Sequence, residues 1–221
     1  MTRQIAKQLI PLMHTADRYA VVFNKLGFPF TLLHQLPPGA PADINDAIYA
    51  FTGTAKKQKW IGVSPFAQHA QKVYPLHKME NVVSNLAKLG YKLFIFGGSA
   101  EEAAIAEEWA AKYEGVISVV RKVRLEDEIR LISHLNLMVS MDSAGMHIAS
   151  LVGIPTVSIW GATHPYAGFM GYGQSDDNAA QIDLECRPCS VYGNKPCFRG
   201  DHACMNNLPE ILVLNKILEK L

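Results

Sequence analysis

Apolar residues in this chain form short continuous runs that alternate with stretches of helical periodicity. The runs at 61–66, 91–96 and 116–120 have the length and content of strands buried on both faces. Between them, 75–89 and 101–113 place apolar residues at the spacing of a helix with one buried face. This alternation predicts an α/β fold, specifically a Rossmann-like, doubly wound parallel sheet.

The pattern continues through the second half of the chain. A helix is predicted over 125–135, with Leu125, Ile129, Ile132 and Leu135 aligned on one face. The last segment, 208–221, has the pattern of an amphipathic helix, and we expect it to pack back on the body.

The stretch from 135 to 161 contains two apolar runs separated by Asp142-Ser143-Ala144-Gly145 and a short helical segment that ends near Gly153. Two buried parallel strands joined by one helix explain this pattern. In such a sheet, ligands lie beyond the carboxyl ends of the strands, where Asp142, Ser143 and Ala144 fall.

The amino-terminal region has a different character. Apolar positions over 2–26 have helical spacing that Pro11 interrupts, and 28–33 is predicted to be extended. The proline-rich stretch 36–41 is predicted to be a linker. We therefore divide the chain into residues 1–55 and residues 56–221.

Composition narrows the function classes. The 221 residues are 49% hydrophobic and carry a net charge of +1, which argues against a general nucleic-acid-binding protein. No apolar stretch reaches the roughly twenty residues of a membrane span, and the first residues do not form a secretory signal. A cytoplasmic location is therefore expected.

The helix that follows Asp142 is a candidate anion site. Ser143 is placed to cap it, and the amides of Ser143 to Gly145, together with the helix dipole, favour a bound diphosphate. His147, in the first turns, could face the same anion. The alternatives are that Asp142 and Ser143 only cap the helix and that His147 is a surface or core residue.

Three segments carry a family resemblance: 142–147 (Asp-Ser-Ala-Gly-Met-His), 153–157 (Gly-Ile-Pro-Thr-Val) and 160–165 (Trp-Gly-Ala-Thr-His-Pro). In this order and spacing they resemble the signature of the heptosyltransferase family, glycosyltransferase family nine. The resemblance implies that 56–221 is the carboxy-terminal, donor-binding half of a GT-B-type fold. Residues 1–55 would then be the end of an amino-terminal acceptor domain with its linker.

The resemblance also implies roles for single residues. Lys72, in a loop similar to the family's Lys-x-Trp-Pro, would neutralise the donor diphosphate. Glu101 would hold the ribose hydroxyls, and Val123 would form an apolar wall against the base. Without the resemblance, Lys72 is a solvated lysine and Glu101 a residue that stabilises the first turn of its helix.

The implied reaction is an inverting transfer of a sugar, a heptose from an ADP-linked donor, to a lipopolysaccharide core acceptor. The acceptor would be a lipid-linked saccharide, which allows peripheral membrane contact at the inner face of the inner membrane. The family's catalytic base lies in the amino-terminal domain, so no catalytic residue is expected here. We expect donor binding with little transfer by this chain alone, no required cofactor and no nucleic-acid partner.

Four cysteines cluster late in the chain, at Cys186, Cys189, Cys197 and Cys204. Because disulfides are disfavoured in the cytosol, a structural zinc site is one interpretation, although only Cys186 and Cys189 have the spacing of a metal hook. Two other functions stay open at this point. One is a sugar-nucleotide epimerase-like enzyme, and the other is a zinc-knuckle interaction module.

Overall fold

The computed structural model describes residue 2 and residues 7–33, 43–53 and 56–221. Six strands in these residues form one sheet in which every neighbouring pair is parallel. All six contain buried residues, which is typical of a sheet covered on both faces. The strands are β1 (Trp60–Ser64), β2 (Lys92–Ile95), β3 (Val116–Ser118), β4 (Leu137–Met141), β5 (Thr156–Ile159) and β6 (Ala179–Ala180).

Helices connect most of these strands. Short 3₁₀ turns supplement them in the loops, among them Ala70–Lys72. The α-helices of the described residues are α1 (Thr15–Lys25), α2 (Asp46–Thr52), α3 (Leu76–Lys88), α4 (Ala100–Lys112), α5 (Leu125–Ser133), α6 (Ala144–Leu151), α7 (Ala203–Asn206) and α8 (Glu210–Glu219). None of them is long and apolar enough to cross a membrane.

The strand order is β3-β2-β1-β4-β5-β6. The chain therefore builds outward from β1 to β3 and then returns to place β4 on the other side of β1, where Ser64 aligns with Ser140. Connections leave β1 and β4 in opposite directions, so a crevice opens between their carboxyl ends. This arrangement confirms the predicted doubly wound sheet and identifies its ligand-binding edge.

A hydrophobic core lies on each face of the sheet. On one face, α3 buries Met79, Val83 and Leu86 against residues of the strands. Helix α8 joins the same cluster through Val213 and Ile217, so the prediction that the last segment packs on the body is confirmed. The core of the other face is formed by residues that include Ile48, Trp60, Phe94, Leu131, Ile132 and Ala149.

The predicted buried face of α5 is partly wrong. Leu125 and Ile129 are exposed, whereas Asp127, Leu131 and Ile132 are buried. The buried carboxylate is satisfied because Asn45 Nδ2 donates to Asp127 Oδ1 over 2.6 Å. This hydrogen bond joins α5 to the segment that contains α2.

The amino-terminal helix is shorter than its apolar pattern predicts. It begins only at Thr15, where the His14 side chain accepts a bond from the Ala16 amide, and residues 7–14 are not helical. It buries no residue, and it is held by bonds from Thr15 and Arg18 to the loop at 167–168. Residues 28–33 form neither helix nor strand, and the predicted linker at 36–41 falls within 34–42, outside the described residues.

Candidate functional site

A cleft of about 610 Å³ lies at the carboxyl ends of β1, β2 and β4. Its walls come from the loops that follow these strands, from the first turns of α5 and α6, and from one residue of the cysteine-containing segment. The residues that line the cleft include Phe66, Lys72, Phe96, Gly98, Glu102, Leu125, Glu128, Asp142, Ser143, Ala144, Gly145, Ile148 and Tyr192.

Lys72 and Asp142, predicted from separate motifs, form an ion pair in this cleft. The Lys72 ammonium donates to Asp142 Oδ2 over 2.9 Å, and the two side chains are only 16% and 6% exposed. The Thr163 hydroxyl donates to the same oxygen over 2.8 Å. Asp142 therefore fixes the position of the only lysine side chain among the cleft-lining residues that the structure describes.

The first turn of α6 faces the cleft with its backbone amides. Ser143 occupies the cap position, but its side chain does not form the expected capping bond and instead lies 3.3 Å from the Ser140 hydroxyl. The first amides of a helix have no partner within the helix, so here they stay available to an acceptor from outside. Ser143, Ala144 and Gly145 thus present partial positive charge beside Lys72.

Gly145 is required for packing. A Cβ added at this position would lie 2.6 Å from both Cβ and Oγ of Ser64. The absence of a side chain therefore lets α6 approach β1 closely, which brings its first turn to the edge of the crevice.

The first turn of α4, which follows β2, presents Glu102 to the cleft, whereas the predicted Glu101 is exposed and does not line it. Glu102 Oε2 accepts from the amides of Gly98 and Ser99, while Ser99 caps α4 in return. The spacing Ser99-x-x-Glu102 is a capping-box signature that the sequence already contains. The pKa of Glu101 is lowered, first by hydrogen bonding to the backbone and then by Ser99.

The predicted apolar wall also falls on a neighbouring residue. Val123 is half-buried and does not line the cleft, whereas Leu125 at the start of α5 does. Glu128, one turn further along α5, reaches the same cleft and was not anticipated. An acidic residue in the first turn of a helix is ordinarily explained by the helix dipole, so the sequence held no signal for this position.

His147 lies on another side of α6. It lines a second cavity, of about 270 Å³, together with His14, Tyr19 and Tyr172. The pKa of His147 is lowered, mainly because surrounding protein atoms reduce its solvation; Asp142 opposes this effect, and Lys72 adds to it. The charges of Asp142 and Lys72 thus affect the pKa of His147, although His147 does not line the cleft.

All four cysteines are free thiols that line one small cavity, which His202 also reaches. Burial raises the pKa of Cys204 to about 11, and it also raises the pKa of Cys189. Among the described residues, no three His, Cys, Asp or Glu side chains are arranged to hold a metal ion. The zinc interpretation therefore stays a prediction.

The segment that carries the cysteines also borders the cleft. Tyr192 lines the cleft, and Gly193 abuts the aliphatic part of Lys72. The buried Arg187 anchors the segment by donating from Nε to Gly161 O over 2.6 Å and from Nη2 to Thr163 O over 3.1 Å. The cysteine segment is thus part of the site's architecture, which its sequence did not reveal.

The sequence matches a family model described as glycosyltransferase family 9 (heptosyltransferase) over residues 2–196. Lipopolysaccharide heptosyltransferase 3 of Escherichia coli strain K12 is 31% identical over 110 residues, which cover 48% of this chain and 32% of that protein. Lipooligosaccharide heptosyltransferase 2 of Campylobacter jejuni subsp. jejuni serotype O:6 is 27% identical over 165 residues, covering 72% of this chain and 51% of that protein. The chain therefore spans about a third to a half of the length of these relatives.

Solved structures show the same fold. The crystal structure of the glycosyl transferase family 9 from Veillonella parvula DSM 2008 has a TM-score of 0.69 at 19% identity, and the match covers 97% of this chain and 62% of that one. The structure of E. coli heptosyltransferase WaaC with ADP has a TM-score of 0.62 at 21% identity, covering 98% and 58%. These similarities confirm the predicted fold class, a Rossmann-like half of a GT-B-type glycosyltransferase.

Proposed function

Since this chain belongs to glycosyltransferase family 9, the heptosyltransferase family, we propose that it forms the donor-binding part of a glycosyltransferase. The donor is a nucleotide-diphosphate sugar, ADP-heptose, and the acceptor is a lipid-linked saccharide of the lipopolysaccharide core. The family match favours sugar transfer over the epimerase-like alternative.

The observation that carries this proposal is the pairing of Lys72 with the amides of the α6 first turn in one cleft. When the bond between sugar and diphosphate breaks, negative charge accumulates on the departing diphosphate. A lysine and a helix amino terminus that are fixed in advance stabilise that charge without having to reorganise. Asp142 holds the Lys72 ammonium in place through the 2.9 Å contact.

Supporting roles follow from the remaining lining residues. Glu102 keeps the loop at Gly98 in a defined conformation. The neighbouring Glu101 is exposed and would hold the ribose hydroxyls, as the family resemblance implies. His147 would contribute to stabilising the diphosphate, as the family resemblance implies, although its side chain lines the second cavity. No general base is assigned among the cleft-lining residues.

Isothermal titration of the purified chain with ADP, ADP-heptose, UDP and adenosine tests this function. We expect ADP compounds to bind more tightly than UDP, and Lys72→Met to weaken ADP binding by about tenfold or more while leaving adenosine binding unchanged. The exposed Lys88 provides a matched control, since Lys88→Met removes the same charge outside the cleft. Equal losses in the two variants, or no saturable ADP binding, would contradict the proposal.

We propose, separately, that the cysteine cavity holds a structural zinc ion. Support comes from the four thiols that line one cavity with His202, since thiolate and imidazole are preferred zinc ligands. No three of the described side chains are arranged to hold an ion, so zinc binding would draw the thiols closer together. Elemental analysis of purified chain should find about one zinc per molecule, lost in a Cys186→Ser variant. If the purified protein contains no metal and its thiols react freely with a thiol reagent, the zinc proposal is wrong and the cysteines serve only in packing.

We further propose a cytoplasmic location, peripheral contact with the inner face of the inner membrane, and a division of the chain after residue 55. The location is expected from the sequence, and the lipid-linked acceptor favours the membrane contact. The division follows from the proline-rich linker together with the family resemblance.

A further inference from the structure

Glu128 stands on the wall of the cleft without a partner. It follows Leu125 by three residues, so the two side chains leave the same face of α5 and both line the cleft. In the described residues, no hydrogen bond or ion pair engages the Glu128 carboxyl group. Burial raises its pKa, which agrees with a carboxyl group surrounded largely by protein atoms.

The cleft has two chemically different ends. Lys72, Asp142 and the first turn of α6 form the charged end. The lining near α5 is apolar, because Phe96 and Ile148 pack in the same cluster as Leu131 and Ile132 of α5, and Leu125 and Glu128 belong to that helix. A nucleoside diphosphate has the same division, because its phosphates are charged and its base is flat and largely apolar.

This division sets the orientation of the ligand, and the argument here rests on the proposed function. With the diphosphate at Lys72 and α6, the base must lie at the apolar end beside α5. Leu125 is 60% exposed, and its apolar surface is suited to cover one face of a base. The Glu128 carboxyl group then faces the edge of that base.

We propose that Glu128 is a specificity-determining residue that recognises the exocyclic 6-amino group of adenine. A carboxyl oxygen accepts a hydrogen bond from this amino group whether or not the acid is ionised. The bond would satisfy a polar group that otherwise faces an apolar wall, and a base without the amino group would leave it unpaired. Sites that hydrogen-bond a ligand group discriminate strongly against analogues that lack it.

The test is a double-mutant cycle between the side chain and the ligand. ADP and purine riboside diphosphate, which lacks only the 6-amino group, are titrated into wild-type chain and into Glu128→Leu. We expect the missing amino group to weaken wild-type binding by about fivefold or more and to have little effect in Glu128→Leu. Glu128→Gln should keep most of the ADP affinity, because its amide oxygen also accepts a hydrogen bond from the amino group.

Controls separate this inference from the proposed function. Glu126→Gln removes an exposed carboxylate from the same helix and should leave the cycle unchanged; thermal unfolding confirms that each variant is folded. If ADP binding depends on Lys72, but loss of the 6-amino group weakens binding equally in wild type and Glu128→Leu, the role of Glu128 is overturned and the proposed function stands. Tighter binding of GDP than of ADP overturns that role as well, and absence of any nucleotide binding overturns both.

Discussion

Gly193 and Lys72 approach so closely that a Cβ on Gly193 would lie 2.5 Å from Lys72 Cγ. Gly193 also has a φ of +79°, a conformation that other residues rarely adopt. The missing side chain at Gly193 therefore leaves the space that the Lys72 stem occupies on its way to Asp142.

Gly193→Ala should therefore weaken ADP binding by about threefold to tenfold, since the lysine must move from its position. Gly200 is a matched control, because its φ is +78° but no atom lies within 4 Å of the added Cβ. Both variants should lose roughly 1 kcal/mol of stability from backbone strain, and only Gly193→Ala should change ADP affinity in a calorimetric titration. Equal affinities would show that the contact does not position Lys72.

Asp142→Asn should raise ADP affinity by about threefold or more. The substitution removes a negative charge that lies 2.9 Å from the lysine and close to the expected diphosphate, and the amide oxygen can still accept the Thr163 bond. The ligand-free chain should lose about 1–3 kcal/mol in urea unfolding, because Lys72 is left partly buried without its counter-ion. Weaker ADP binding would contradict this prediction, and it would mean that positioning of Lys72 by Asp142 outweighs the repulsion between the carboxylate and the diphosphate.

Arg187→Met should reduce the free energy of unfolding by at least about 3 kcal/mol. The residue is 3% exposed and donates to the carbonyl oxygens of Gly161 and Thr163, which would stay buried without this donor, and to that of the half-buried Ile182. Arg199→Met is the control in the same segment, since its ion pair with Asp201 is exposed to solvent and should contribute little to stability. Denaturant titration measures both; a small effect at Arg187 would contradict its role as an anchor.

Stability should fall as the pH drops below about 6.5, in part because of His164. Burial, assisted by Arg187, lowers the pKa of His164 from 6.5 to about 4. Between these values the unfolded chain binds a proton that the folded chain does not, so folding loses about 2 kcal/mol between pH 7.5 and pH 5.

His164→Asn tests this assignment. Asparagine can still accept the bond from the Tyr166 amide but does not titrate. Urea unfolding at the two pH values should show a loss smaller by about 2 kcal/mol in the variant than in the wild type. If the wild type and the variant lose the same free energy of unfolding between the two pH values, other groups cause the acid sensitivity.

The sheet could be predicted from sequence because its strands are continuous apolar runs between periodic helices. Lys72, Asp142 and Ser143 could be placed at one edge, since parallel strands bring their carboxyl ends together. The face of α5 could not be predicted correctly, because its burial depends on Asn45, a residue from an element far away in the chain.

Glu102 could have been identified from the sequence, because the spacing Ser99-x-x-Glu102 is that of a capping box, in which Glu102 turns back to the amides of Gly98 and Ser99. Tyr192 reaches the cleft, and Gly193 reaches the stem of Lys72, through a long irregular segment. The path of this segment depends on the buried Arg187 and not on any local pattern. Such contacts are decided by tertiary packing, which periodicity does not encode.

The segment from 181 to 202 contains no helix or strand, yet it supports Lys72 and closes one side of the cleft. Irregular segments open with lower free energies than the central strands of a sheet. Opening of this segment would release Lys72 while β1 and β4 stay folded. The arrangement that can bind nucleotide would therefore be lost more often than the sheet unfolds. Nucleotide affinity would then depend on how often this segment is closed, and hydrogen exchange at its amides would report that fraction directly.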